Sequence, residues 1–201
     1  MKLLGNNASP FVRMVRASSI ELGLTDVVSM ADTVARYDQP DLALQAANPL
    51  GKVPALIRDD GPALYDSRVI CRYLNEKGNS SLYPESRLWE VLTLEATAHG
   101  MTEAALLMVY EHRFRPEDMI VESWVEAQWQ RVVRSLSVLE TRWQSHLAGP
   151  VDGGQIALAC ALGYIDFRHA DRDWRTGHAY LSEWYAKISE RPALKDTAPS
   201  D

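Results

Sequence analysis

Asn48-Pro49-Leu50-Gly51-Lys52-Val53-Pro54-Ala55-Leu56-Ile57 contains the conflict that decides how the first part of this chain folds. Val53 to Ile57 reads as a strand, yet proline has no amide hydrogen for a ladder and belongs at an edge, a strand start or a bulge. A cis bond at Val53-Pro54 resolves the conflict. It turns the Val53 amide and carbonyl outward, free to pair with an extended peptide-like ligand as one more strand pairs with a sheet edge. An edge strand with a trans proline is the alternative. Downstream, Arg58-Asp59-Asp60-Gly61-Pro62 reads as a hairpin turn into Ala63 to Tyr65, so the two runs should pair antiparallel. Upstream, Lys2 to Leu4 and Val27 to Met30 read as strands. Between them Ser9-Pro10-Phe11 supplies an N-cap and a proline at the first helical position, and Phe11, Val12, Val15 and Ile20 give helical spacing up to Gly23. Strands alternating with helical patterns make this an α/β domain, a small sheet covered by helices.

After Ser67, the pairs Val69-Ile70 and Tyr73-Leu74 mark another helix ending at Gly78. Residues 1–79 then form the first domain and 80–87, opening with Ser80-Ser81-Leu82-Tyr83-Pro84, the linker; residues 88–201 form the second domain. That second domain offers no convincing strand pair. Its helical patterns run at 88 to 114, 117 to 147, 153 to 170 and 178 to 190, an all-α bundle. Asp152-Gly153-Gly154-Gln155 is a capping box ahead of Ile156-Ala157-Leu158-Ala159.

With 201 residues and 46% hydrophobic content the chain can build one sizeable core or two small ones. The apolar run Ile156 to Ile165 is about half of a bilayer crossing, and Met1-Lys2-Leu3-Leu4 runs into Gly5-Asn6-Asn7 rather than an apolar signal core, so neither a membrane span nor a secretion signal is expected. Residues 1–79 carry nine Lys/Arg against nine Asp/Glu and the remainder twelve against eighteen, so the net charge of −6 lies in the second part. With no basic stripe, nucleic acid is not an expected partner. Cys71 and Cys160 have no paired spacing and sit in apolar helical patterns, which suggests core thiols in a reducing cytoplasm. His99, His112, His146, His169 and His178 lack metal-site spacing and read as surface or helix residues. No Gly-x-Gly-x-x-Gly, Walker loop or Gly-x-Ser-x-Gly is present.

Two further features join the proline segment at element boundaries. Ser9 stands at the amino end of the first helix, where unpaired amides and the helix dipole favour an anion, and its hydroxyl could donate to a thiolate; an ordinary N-cap is the plainer reading. Tyr65-Asp66-Ser67-Arg68 stands at a strand-to-helix junction. Ser67, as N-cap with free amides behind it, can hold a carboxylate and Asp66 can accept from an ammonium group, which together fit an amino-acid head; a simple capping pattern is the alternative.

Ser9-Pro10-Phe11-Val12-Arg13, Asn48-Pro49-Leu50-Gly51-Lys52-Val53-Pro54 and Asp66-Ser67, in that order and ahead of a helical domain, resemble cytosolic glutathione S-transferases, in particular bacterial members with a serine near the amino end. The segment Ala159 to Arg168 looks like the buried helix of such members. The resemblance implies an α/β thioredoxin-like first domain, an all-α second domain, a cytoplasmic homodimer active in detoxification, glutathione as co-substrate and no metal. It implies that Ser9 stabilises the glutathione thiolate, that Val53, beside Pro54, pairs its main chain with the cysteinyl unit, and that Asp66 and Ser67 hold the γ-glutamyl head. Phe11 belongs to the same glutathione-binding set, and Lys52 is the nearest cation for the glycyl carboxylate. Some serine-type relatives place a lysine about eight residues before the Asn-Pro step. Pro40 stands there in this chain, so Arg13 or Arg36 could supply that charge instead.

The chemistry such a site must perform is the deprotonation of a thiol whose ordinary pKa is near 8.5. Serine at position 9 cannot form a mixed disulfide, so conjugation is favoured over reductase chemistry, although a bound thiolate can also attack a peroxide or a disulfide. Asn6 and Asn7 are rival donors to the sulfur. The small, mostly apolar electrophile is expected between the domains, against Glu103, Leu107 and Tyr110 of the first long helix, with Tyr164 or Trp174 closing the far side. A non-catalytic interaction module of the same fold, a glutathione-dependent peroxidase or disulfide reductase, and a sequestering protein for apolar ligands are the competing readings.

Overall fold

Both kinds of strand pairing meet on β1 (Lys2–Gly5), which runs parallel to β2 (Ser29–Asp32) and antiparallel to β3 (Ala55–Ile57), giving the sheet order β2-β1-β3. The computed structural model describes residues 1–36 and 38–201. Leu3 and Leu4, on opposite faces of the central strand, are both buried, as expected of a strand covered on two sides. α1 (Pro10–Glu21) links β1 to β2, α2 (Leu42–Ala47) precedes β3, and α3 (Ser67–Lys77) closes the series by packing against α1.

Differences from the sequence reading have local causes. The second strand starts two residues later than Val27, because the amides of Val27 and Val28 both bond to the Leu24 carbonyl and prolong the turn after α1. The expected partner strand at Ala63 to Tyr65 shrinks to one antiparallel bridge, in which Leu56 and Leu64 exchange two bonds of 2.9 Å. Pro62 has no amide to extend that ladder, and its carbonyl accepts from Arg58 Nε at 2.8 Å, closing the turn. α2 was not anticipated. It is six residues long, capped by Asp41, and buries Leu44 alone, so it shows no apolar stripe.

Residues 1–88 and 192–201 form one compact unit and 89–191 a second. The last ten residues therefore group with the sheet, where the sequence reading assigned them to the helical domain. α9 (Pro192–Lys195) packs on α1, and Arg13, only 4% exposed, donates from Nη2 to the Leu194 carbonyl at 3.0 Å.

The second unit contains α4 (Leu88–Phe114) from its second residue on, α5 (Glu122–Arg142), α6 (Gln144–Leu147), α7 (Gly153–Arg168) and α8 (Ala179–Ser189). The single pattern expected over 117 to 147 is divided: a 3₁₀ turn at Glu117–Met119 precedes α5, and the chain leaves the helical region at Trp143 (φ −109°). α7 is buried on all sides through Ile165, which is why its sequence is apolar without a period. Asp152, fully buried, accepts from the Gln155 amide at 3.0 Å, and its other oxygen lies 2.9 Å from His146 Nε2. The Gln155 side-chain amide donates to the carbonyls of His146 and Pro150. Across the bundle, Glu140 caps α8 by accepting from the Tyr180 and Leu181 amides, both at 2.9 Å.

The close approach of α7 to α4 requires a glycine. A Cβ at Gly154 would meet the Val91 carbonyl oxygen at 2.7 Å and Leu94 Cβ at 2.9 Å, neither able to swing away. Gly154→Ala is therefore expected to destabilise the protein by about 1–3 kcal/mol. Gly100→Ala, mid-α4 with nothing within 4 Å of the new methyl, should stabilise it by about 0.5–1 kcal/mol. Urea melts of the two variants check both signs.

Candidate functional site

The first unit brings three loop ends to notice, and each is held by a side chain beneath it. Where β1 meets α1, a Cβ at Gly5 would collide with the Val12 side chain, so the strand end packs directly on the helix start. Asn6 secures the connecting loop: its Oδ1 accepts from the Ser9 amide at 3.1 Å and its Nδ2 donates to the Thr33 carbonyl at 3.0 Å. Asn7 Oδ1 accepts from Arg16 at 2.7 Å. Both asparagines thus have architectural partners.

Ser9 is the N-cap of α1, half-buried, and its Oγ accepts from the Val12 amide at 3.3 Å. A hydroxyl that accepts still has its own proton to donate, and among the described residues that proton has no acceptor. No acidic residue stands in the first turn of α1 to offset the positive helix end. Phe11 lies half-buried in the same turn.

The second loop is stapled by Asn48, which is buried. Its Nδ2 donates to the Lys52 carbonyl at 2.8 Å, its Oδ1 accepts from the Leu50 amide at 3.0 Å, and its carbonyl accepts from Gly51 at 2.8 Å. The Val53–Pro54 bond that follows is cis, and β3 starts only at Ala55. Among the described residues the Val53 amide and carbonyl take no hydrogen bond from the protein. Lys52 is exposed, and Pro54 is buried behind Val53.

At the third loop the N-cap is Asp66, and Ser67 is the first helical residue, a correction to the sequence reading that made Ser67 the cap. Asp66 Oδ1 accepts from the Arg68 amide at 3.1 Å and Oδ2 from the Arg68 guanidinium at 2.9 Å. Burial pushes the Asp66 carboxyl up, but the Arg68 guanidinium with the Arg68 and Val69 amides outweighs it and holds the group below its ordinary value. Ser67 is 1% exposed, and its Oγ has no partner among the described residues. The two arginines considered for a glycyl carboxylate are engaged elsewhere. Arg13 points at Leu194, and Arg36 makes a two-pronged pair with Asp38 at 3.0 and 2.7 Å.

In the second unit, Glu103, Leu107 and Tyr110 lie on the exposed side of α4, with Glu103 3.7 Å from His99 and the Tyr110 ring 5.1 Å from that of Phe114. Tyr164, on α7, is buried, and burial pushes its hydroxyl up to about 12 against the opposing pull of Arg168. Trp174 is buried in core, donating Nε1–H to Asp166 at 2.7 Å. The histidines are not surface residues throughout. His169 and His178 are buried against the Ala105 and Trp174 carbonyls at 2.9 and 2.7 Å. Among the described residues no group of three or more His, Cys, Asp or Glu could hold a metal ion, and no helix is long and apolar enough to cross a membrane. Sequence reasoning missed a cavity of about 430 Å³ at the end of α4 and α7, walled by Met108, Val109 and Val125 and edged by Arg113, Arg168 and Arg172. The signal was available: Arg113 and Arg168 follow Tyr110 and Tyr164 at helical spacings of three and four.

Residues 8–77 match the family model for the glutathione S-transferase N-terminal domain, and residues 122–187 match that for the C-terminal domain. An uncharacterized GST-like protein YibF of Escherichia coli (strain K12) is 31% identical, the match covering 99% of this chain and 98% of that one. A glutathione transferase family member from Pseudomonas fluorescens Pf-5, crystallised with bound glutathione, is similar at 41% identity and a TM-score of 0.96, over 100% of this chain and 99% of its own. A second structure of a Pseudomonas fluorescens Pf-5 family member, with bound S-(propanoic acid)-glutathione, gives 39% identity and a TM-score of 0.91 over 100% of each chain.

Replacing the α3 cap tests the electrostatics at Asp66. Asp66→Ala should cost about 1 kcal/mol at pH 6, the usual worth of such a cap. Because the folded pKa lies below the unfolded one, the ionised carboxylate stabilises the fold above the unfolded value of about 3.9 and ceases to do so as the pH falls through the folded value. Urea melts in pH steps should show the gap between wild type and variant narrowing below about pH 4. A gap unchanged to about pH 2.5 contradicts this account.

Proposed function

Because the chain belongs to the glutathione S-transferase family, we propose that it is a working glutathione transferase, which holds glutathione on the first unit and presents its sulfur as the thiolate to a small, mostly apolar electrophile. The observation that carries this reading is the Ser9 hydroxyl: it accepts from the Val12 amide and keeps an undirected proton at a helix amino end that has no acidic neighbour in its first turn. A thiolate placed there receives a hydrogen bond and the field of α1, effects of roughly 1 kcal/mol each, which together lower a thiol pKa by about one to two units. The sulfur then attacks an electrophilic carbon: a carbon–sulfur bond forms while the leaving group departs with its bonding pair or, in an addition, while the π pair moves to the neighbouring atom and takes a proton from solvent; serine offers no sulfur for disulfide exchange.

In this reading the main chain of Val53 pairs with the cysteinyl unit, supported by its unpaired amide and carbonyl. Asp66, ionised, accepts from the γ-glutamyl ammonium, and its carboxylate is turned to that task by Arg68. The α-carboxylate falls to the amino end of α3 and to the Ser67 hydroxyl, which has no protein partner. Lys52 and Phe11 flank the tripeptide, with Lys52 the cation nearest the glycyl end. The electrophile is assigned to the helical unit, on Glu103, Leu107 and Tyr110 of α4 and Tyr164 of α7. The same reading takes the enzyme as a cytoplasmic homodimer of detoxification. Glutathione and a glutathione thioether bound to Pseudomonas fluorescens relatives support the choice of co-substrate.

Steady-state kinetics of Ser9→Ala test the central assignment. With the hydroxyl gone, kcat should fall about tenfold while KM for glutathione stays within about threefold, and the midpoint of the pH–rate profile should rise by about one unit. A variant with unchanged kcat and midpoint removes Ser9 from the chemistry, and undetectable calorimetric binding of millimolar glutathione to the wild type ends the transferase reading.

A further inference from the structure

The loop between β1 and α1 holds a donor that the reading above leaves unused. Asn6 and Asn7 both carry side-chain amides ahead of Ser9, yet they spend them differently. Asn6 uses both ends, accepting from the Ser9 amide through Oδ1 and donating to the Thr33 carbonyl through Nδ2. Asn7 uses one. Its Oδ1 accepts from Arg16 Nη1 at 2.7 Å, and its Nδ2 has no acceptor among the described residues. Chemistry fixes the direction of that amide. A guanidinium has donors and no acceptor, so only the oxygen of Asn7 can face Arg16, and the NH₂ group is turned the other way.

The placement of the pair ties it to Ser9. The Ser9 amide bonds to the Asn6 carbonyl at 3.4 Å, which makes Asn6 to Ser9 a turn with Asn7 and Ala8 at its tip, directly ahead of the cap. Arg16 follows Ser9 by seven residues, about two helical turns, so both stand on the same side of α1. Arg16 is half-buried, and the Asn7 oxygen is its one hydrogen-bond acceptor among the described residues. An exposed asparagine at a turn tip would otherwise rotate freely; here a half-buried cation holds it by its oxygen end. The positive charge of Arg16 also meets no acidic residue in the first turn of α1.

We propose that Asn7 is a second catalytic donor, whose Nδ2–H bonds the glutathione thiolate beside the Ser9 hydroxyl, and that Arg16 is the positioning residue that aims it; this deepens the transferase reading above and rests on it. In the step concerned the thiol gives its proton to solvent, and the sulfur anion left behind accepts one bond from the Ser9 hydroxyl and one from the Asn7 amide. Two preset donors on one anion stabilise it with no reorganisation when the charge forms.

Ultraviolet titration of glutathione bound to the wild type and to single variants tests the proposal. Asn7→Ala, an exposed change with little effect on folding, should raise the midpoint of thiolate formation by about half a unit to one unit, while glutathione affinity below the midpoint stays within about threefold. Asn7→Asp keeps an oxygen for Arg16 and loses the donor, so its midpoint should rise at least as far. Arg16→Lys can still donate to the Asn7 oxygen and should leave the midpoint within about 0.3 unit of wild type. Arg16→Met should raise it, with no further rise when combined with Asn7→Ala. A midpoint unchanged in Asn7→Ala overturns the inference, as does Asn7→Asp titrating like the wild type, the result expected of a residue that only tethers the loop. Additive shifts from Arg16→Met and Asn7→Ala remove Arg16 from the positioning role. If the wild type itself gives no thiolate absorbance with glutathione, the failure belongs to the transferase reading beneath, and this inference falls with it.

Discussion

A serine hydroxyl can accept one hydrogen bond and donate another, and the proposed chemistry of this protein depends on that asymmetry at Ser9. As an N-cap it takes the Val12 amide and completes α1. Its remaining proton is then available to an anion at a place where the first-turn amides already create a positive potential. Capping and activation are thus the same arrangement seen from the two sides of one oxygen.

The loops around it are positioned by the same kind of device. Asn6 and Asn48 each use both ends of a side-chain amide to tie a turn to its surroundings, so that Ser9 and Val53 are held by bonds made to other residues. Asp66 does this with a carboxylate, whose pKa Arg68 helps to hold below the ordinary value. Short polar side chains that satisfy local backbone groups leave the neighbouring functional groups unpaired. The Val53 main chain, the Ser9 proton and the Ser67 hydroxyl are left in this state among the described residues.

How far these features could be read in the chain depended on how local their causes are. α1, α3 and α4 were legible, because caps and apolar spacing lie within the segments themselves. The cis Val53–Pro54 bond was legible as a conflict between a strand pattern and a residue that cannot serve a ladder. What stayed hidden depended on distant partners. Arg13 looked available for a ligand, yet its guanidinium is buried against Leu194, 181 residues away. His169 read only as a surface or helix residue, and nothing near it in the chain shows that it is buried against the Ala105 carbonyl, 64 residues away. The capping role of Asp66 was misassigned to Ser67 because both residue types favour that position and only the backbone angles separate them.

The most direct test of the thiolate account is a pH titration of the ultraviolet absorbance of glutathione bound to the wild-type protein. The account predicts a midpoint about one to two units below the ordinary thiol value of about 8.5. A bound thiol that titrates at the ordinary value would contradict it.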